Sequence, residues 1–392
     1  MNRFRERGAV MHGIPLLFEN NSDDKIRYKS YLKQKVCVYK DFPHVINTTS
    51  LLNLIKFINF LEVTDPYRLP IKIEFVATDF ADKLSLTLFE CICHYIVTSL
   101  KRRATISLKL SKASIWTSGR DSSPIFLLTS GKSEHLCKFL QKFELEIYNQ
   151  HYRRYVRSAD AVNSSYLSRI FDDIVDFQLV FNISKHCREA IAEVIVELVG
   201  NACDHTNSDC LLDIDIAPNY YKKDVIGEYF GINISIVNFS KKLFYDDIFE
   251  KLVISDFGQT PGRYKQLQEA FNNHQAFFDS PQYNDRDFSI VAAFQHKISG
   301  RADNNITGGT GLTKLIKGLE EQSDAYNCYM MSGARKFFFR SHYLEYNDEQ
   351  WIGFNSNNDF FHQPPSPELF TNSDLYIPGT AFNLTFVMKK ED

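Results

Sequence analysis

Residues 189–206 read EAIAEVIVELVGNACDHT, and the rest of the chain is arranged around them. Apolar Ile191, Val194, Ile195, Leu198, Val199 and Ala202 recur at helical spacing, which predicts one broad buried face. Beside that face runs a polar stripe at every fourth position: Glu193, Glu197, Asn201 and His205. Positions four apart on an α-helix are offset by only about 40°. Two carboxylates, a carboxamide and an imidazole therefore share one narrow strip and can face a common ligand. An ordinary amphipathic helix with a solvated back has the same pattern, so the elements downstream of this helix decide between the two.

Two alternating strands come next, 211–217 (LLDIDIA) and 232–237 (INISIV), joined by a polar turn region at 219–228. From 238 to 305 the chain is rich in Asn, Gln and Asp, with helical pieces at 264–278 and 287–294. A stretch this long between regular elements is functional or mobile. Gly308-Gly309-Thr310-Gly311-Leu312 then opens a helix at 313–321. Strands at 325–331 and 336–340, a polar excursion at 346–376 and a last strand at 380–388 (TAFNLTFVM) complete the pattern.

Upstream, residues 1–27 read as a loose polar arm. A helix at 51–61 precedes strand 71–76 (IKIEFV), helix 83–100 and strand 105–110. This βαβ unit argues for a small α/β domain over 28–157. Ser130-Gly131-Lys132-Ser133 ends like a phosphate-binding P-loop, but Phe126 stands where that motif needs its first glycine. The reading there is a helix opened by Gly131 and running to 148. A small, polar stretch at 158–165 (SADAVNSS) marks the boundary to the second domain.

At 392 residues the chain is long enough for two cores, and 44% hydrophobic with 24% charged residues excludes wholesale disorder. A net charge of -3 offers no electrostatic case for nucleic acid. The basic runs Lys101-Arg102-Arg103 and Arg153-Arg154 read as solvated helix ends. No stretch of eighteen apolar residues and no full signal-peptide layout is present, so the expectation is a cytoplasmic protein without a membrane partner. Eight scattered cysteines suit reduced, buried thiols better than a disulfide framework. Cys203, His205 and Cys210 lack a second ligand pair at zinc-site spacing.

The order of these pieces resembles the GHKL ATPase superfamily, which includes gyrase, Hsp90, MutL, histidine kinases and anti-sigma-factor serine kinases. The resemblance rests on E-x-x-x-N-A-x-x-H (Glu197, Asn201, Ala202, His205), two strands, a long lid at about 239–307, the Gly308–Gly311 turn into a helix, and a terminal G-T-x-F strand (Gly379, Thr380, Phe382). It covers roughly 165–392 and implies an α/β (α+β sandwich) fold with an ATP-binding domain. It further implies Mg²⁺ held by the Asn201 amide oxygen and a general base at Glu197. His205 would lie near the nucleotide, and the backbone amides of Gly308, Gly309, Thr310, Gly311 and Leu312 would approach the phosphates. The family's adenine-reading Asp is absent from the end of the second strand. Asn238 stands there with a neutral acceptor. The rival is Asp256 in ISDFG, whose position fits the lid better. Thr380 resembles the threonine of the adenine-binding water network.

The 71–110 segment faintly resembles a STAS domain in strand–helix–strand order, with Thr78 and Ser85 as candidates for its regulatory hydroxyl. Three functions stay open: a slow ATPase acting as a conformational switch for a protein partner or homodimer, an anti-sigma-factor-like protein kinase, and a nucleotide sensor without turnover. His151, in HYRRY, lacks the acidic residue and proline that follow a histidine-kinase phosphoacceptor. Basic Arg263, Lys265, Arg286, Lys297 and Arg301 in the lid can close over phosphates, with solvation the plainer reading.

Overall fold

The computed structural model describes residues 13–22, 32–33, 35–110, 123–148, 150–161, 163–206, 208–220, 228–254, 262–278, 282–296, 298, 312–321 and 323–390. The fold is mixed α/β, with two sheets among the described residues. Helix α1 (Ile14–Glu19) precedes the first, in which β2 (Val36–Asp41), β3 (Ile71–Ala77) and β4 (Ala104–Leu110) lie parallel. The short β1 (Leu32–Lys33) pairs antiparallel with β2 at one edge. Parallel neighbours need crossovers, and α2 (Thr48–Thr64) and α3 (Lys83–Thr98) supply them. Asn47 and Asp82 start these helices by accepting hydrogen bonds from the Ser50 and Ser85 amides. Along β3, Ile71, Ile73 and Phe75 alternate into the core. Every residue from 83 to 94 in α3 is buried. A helix buried all round needs packing layers on both flanks.

The second layer is a seven-stranded antiparallel sheet. After a 3₁₀ turn (Pro124–Ser130) and α4 (Ser133–Glu144), it takes in β5 (Leu145–Tyr148), β6 (His151–Val156), β7 (Cys210–Tyr220), β8 (Tyr229–Asn238), β9 (Ala325–Tyr326), β10 (Tyr329–Phe338) and β11 (Phe370–Lys389). The spatial order is β10-β11-β8-β7-β6-β5, with β9 against β11. Helices α5 (Ser158–Ala161), α6 (Ser164–Leu179) and α7 (Lys185–Thr206) connect β6 to β7. Between β8 and β9 lie α8 (Asp246–Ile254), α9 (Arg263–His274), α10 (Asp285–Ala293) and α11 (Leu312–Glu321). Leu212, Ile214 and Ile216 of β7 and Ile232, Ile234 and Ile236 of β8 share one core with Ile191, Val194, Ile195, Leu198 and Val199 of α7. On the opposite face, Leu211 and Val237 join the core of the first sheet and α3. The second sheet is thus covered on both sides.

Several stretches depart from the expectations. Strands β5 and β6 lie before the 158–165 boundary, yet β6 pairs with β7 inside the second sheet, so that sheet begins before residue 158. The helix expected from Gly131 to 148 is shorter: Gly131, at φ 64°, closes the 3₁₀ turn, and 145–148 form β5, where Leu145 and Ile147 alternate with Glu146. Strand β2 and helices α6 and α8 had no counterpart in the sequence pattern. Within the stretch read as a loose arm, residues 13–22 are docked. Ile14, Leu17 and Phe18 are buried, and Asn21 exchanges hydrogen bonds with the Tyr376 backbone.

Lys101 and Arg103 are exposed beyond the end of α3, but each basic run contains one arginine that is not solvated. Arg102 is buried, with its guanidinium on Asp65 and on the carbonyls that end α2. Arg153 sits in β6, wholly buried.

The described part of the expected lid is a packed layer, held by the 346–376 excursion. Trp351, Ile352, Phe354 and Phe360 are buried, and Trp351 stacks on Phe360 with centroids 4.8 Å apart. Arg263 lies 3.9 Å over the Trp351 ring and donates to the Glu349 and Gln350 carbonyls. Gln295 exchanges hydrogen bonds with the Ile352 amide and carbonyl, both 2.9 Å. His274 bonds the Phe360 carbonyl at 2.9 Å.

Candidate functional site

Helix α7 presents its polar stripe as the spacing predicts. Glu193 is exposed, while Glu197 and Asn201, one and two turns on, are half-buried. The Asn201 amide nitrogen donates to Glu197 Oε1 at 3.1 Å. That bond fixes the carboxamide, so its oxygen is the ligand atom Asn201 offers, and Oε2 is the second acceptor on Glu197. Both are hard oxygen donors, the chemistry that suits Mg²⁺. His205 lies in the last turn of α7, and its side chain is outside the described residues.

The turn after α7 meets the strand ends. Asn238, the last residue of β8, is opposite Cys210 on one side and Thr380 on the other. Both Asn238 and Thr380 are buried. The Asn238 amide nitrogen donates to the Ser208 carbonyl at 3.0 Å and the Asp209 carbonyl at 2.9 Å. Asn238 therefore clamps the α7–β7 connection to the sheet, a role the sequence did not reveal. Gly379 precedes Thr380 with φ +87°, and a Cβ there would lie 2.3 Å from the Asn238 carbonyl oxygen. Only glycine admits this close approach. Gly379 and Thr380 thus lie inside β11, which begins at Phe370, ten residues before the start expected at 380.

Gly308, Gly309, Thr310 and Gly311 lie outside the described residues, as does the rival Asp256. Helix α11 begins at Leu312, whose side chain is not described; Thr313, next in line, is buried and shares a 2.7 Å hydrogen bond with the Tyr346 hydroxyl. Of the basic residues, Lys265 and Arg286 are exposed, Arg263 is committed to Trp351 and the excursion, and Lys297 and Arg301 are not described.

Glu320, near the end of α11, is 2% exposed, and no hydrogen bond of normal geometry from the described residues reaches its carboxylate. Burial pushes it up to about 8, against smaller opposing effects of the Cys328 thiol and Arg340. The folded protein thus keeps a proton that the unfolded chain loses near 4.5, so stability falls as pH rises from about 4.5 to about 8 and levels off above. Glu320→Gln is expected to abolish that slope and to gain a few kcal/mol at pH 8. Urea unfolding at a series of pH values checks this.

The two hydroxyls singled out near α3 differ sharply. Ser85 is buried, and its Oγ donates to the capping Asp82 at 2.7 Å, so it is closed to a phosphoryl donor. Thr78 is half-buried beyond the end of β3, donating to the His44 carbonyl at 2.7 Å. It borders an open groove of about 500 Å³ with Pro43, His44, Val76 and Lys109.

A second cluster was missed altogether. Lys83 and Glu90 of α3, His151 and Arg153 of β6, and Asp213 and Asp215 of β7 are all wholly buried between α3 and the second sheet. Burial works against the Asp213 charge, but Arg153, Lys83 and His151 outweigh it and hold the carboxyl well below the usual range. Burial likewise opposes the Lys83 charge, which Asp213, Asp215 and Glu90 more than restore. The available signal was D-I-D within an otherwise apolar strand. All eight cysteines are free thiols, and only Cys137 is exposed. No helix among the described residues is long and apolar enough to cross a membrane. No protein-family model, curated protein or solved structure matches this chain.

Proposed function

We propose that this chain binds Mg·ATP between α7, the ends of β8 and β11, and the N-terminus of α11, and hydrolyses it slowly as a conformational switch for a protein partner. The observation that carries the reading is the convergence of two separately read pieces. The Glu197–Asn201 pair lies on the C-terminal half of α7, and Asn238, in register with Thr380, is hydrogen-bonded to the turn that leaves that helix. Asn201 Oδ1 is the oxygen that would hold Mg²⁺; when bound, the ion supplies neutralisation of phosphate charge. Glu197 uses Oε1 to accept from Asn201 and keeps Oε2 for the proton of an attacking water. In this reading Thr380 and Asn238 would lie at the end of the site that receives the base.

A second reading, a protein kinase of the anti-sigma-factor type, draws support from Thr78, whose hydroxyl borders an open groove. Incubation with Mg²⁺ and γ-labelled ATP separates the readings. Free labelled phosphate, lost in Glu197→Ala, supports the ATPase. Label retained on the protein or on an added partner selects the kinase, and binding with neither selects a sensor. Absence of ATP binding overturns all three.

A further inference from the structure

The buried cluster between α3 and the second sheet has the make-up of a metal site. Ligand atoms of His151, Asp213 and Asp215 lie within 4.8 Å of one another, a donor set that suits a divalent cation. The Lys83 ammonium, however, stands 2.7 Å from Asp213 Oδ1 and 2.8 Å from Asp215 Oδ2, where such a cation would sit. His151 Nε2 shares a 2.6 Å hydrogen bond with Asp213 Oδ1. Arg153 pairs with Glu90 and, through Nε at 2.8 Å, with Asp213. Around this centre, Thr87 bonds Ser235 of β8 at 2.6 Å, and the Leu84 amide donates to Asn383 of β11 at 3.1 Å. The Tyr329 hydroxyl of β10 donates to Asp82 at 2.6 Å. One helix of the first layer, with its capping residue, thereby makes buried polar contacts with five strands of the second.

We propose that this seam is an ionic lock with Lys83 as its built-in cation, and that it makes the two sheets open as one cooperative unit. An apolar seam of the same size could slide or part by degrees, since its contacts are non-directional. Here any displacement of α3 leaves two or more carboxylates unpaired in surroundings without water, a costly intermediate. The polar face of β7 and β8 is thus neither a solvated surface nor a vacant metal site. The lock is independent of whether the other face of the sheet binds nucleotide.

The test is hydrogen exchange across a urea series, reading β3 and β4 separately from β7 and β8. In the wild-type chain both pairs of strands are expected to lose protection at one urea concentration. Lys83→Met is expected to lower both midpoints together by about 1–2 M. Lys83→Met/Asp213→Asn/Asp215→Asn also removes the two carboxylates that Lys83 bridges while leaving Arg153 with Glu90, and is expected to recover most of that loss. If the single variant does not fold, recovery in the triple variant still carries the test. Opening of β3 and β4 well before β7 and β8 in the wild type would overturn the lock, as would a triple variant no more stable than the single one. Stabilisation of the wild type by Zn²⁺ or Mn²⁺, lost in Asp215→Asn, would overturn Lys83 as the resident cation.

Discussion

Asn201→Ala is expected to lower Mg·ATP affinity by more than about 100-fold, since even outer-shell partners of metal ligands are worth 10- to 100-fold. Glu197→Ala is expected to bind Mg·ATP nearly as well as the wild type while turnover falls by about 10²- to 10⁴-fold, the contribution of a positioned base. The asymmetry follows from the pair's geometry. In the proposed site Asn201 would offer its oxygen to the cation, whereas the second oxygen of Glu197, whose Oε1 accepts from Asn201, would serve the water. Calorimetric titration with Mg·ATP reads the first effect, and phosphate release under saturation reads the second. Both residues are half-buried at the helix surface, so neither replacement should cost more than about 1 kcal/mol of stability. Wild-type affinity in Asn201→Ala would refute the site.

Asn238→Asp is expected to destabilise the protein by a few kcal/mol, although it would place at the end of β8 the acid expected of an adenine-reading box. The side chain is wholly buried, and its nitrogen donates to two carbonyls at 3.0 and 2.9 Å. A carboxylate there would present negative charge to both carbonyl oxygens with no hydrogen to give. Its protonation at low pH returns one donor, so the deficit relative to wild type should narrow as the solution is acidified. Thermal unfolding at neutral and acid pH checks the sign. If Asn238→Asp is as stable as wild type, the clamp on the Ser208 and Asp209 carbonyls contributes little.

The α7 helix was legible because burial and polarity follow one period there. Ile191, Val194, Ile195, Leu198 and Val199 are all buried, and the Glu197–Asn201 pair lies on the half-buried stripe beside them. Strands β7 and β8 were legible for the same reason, yet their polar face was misleading. Alternation reports which residues share a face and is silent on what covers it. Asp213, Asp215, Asn233 and Ser235 look solvated in sequence, but α3 covers them with Lys83, Thr87 and Glu90. Arg153 was hidden likewise, because HYRRY gives no hint that Glu90, 63 residues earlier, lies beside it. The Asn238 clamp depends on backbone carbonyls at Ser208 and Asp209, to which no side-chain pattern points.

Strand β11 is the last of the described strands and yet sits between β8 and β10, paired with Thr380 against Asn238 through Lys389 against Tyr229. During synthesis, β8 therefore leaves the ribosome about 140 residues ahead of the strand that will cover its edge. Until residue 389 has emerged, that edge offers unpaired amides and carbonyls beside the apolar side chains of β8. The nascent chain must either hold this surface against a chaperone or delay closure of the whole sheet until β11 has been made. Removing β11 should consequently yield aggregation, not a smaller folded protein.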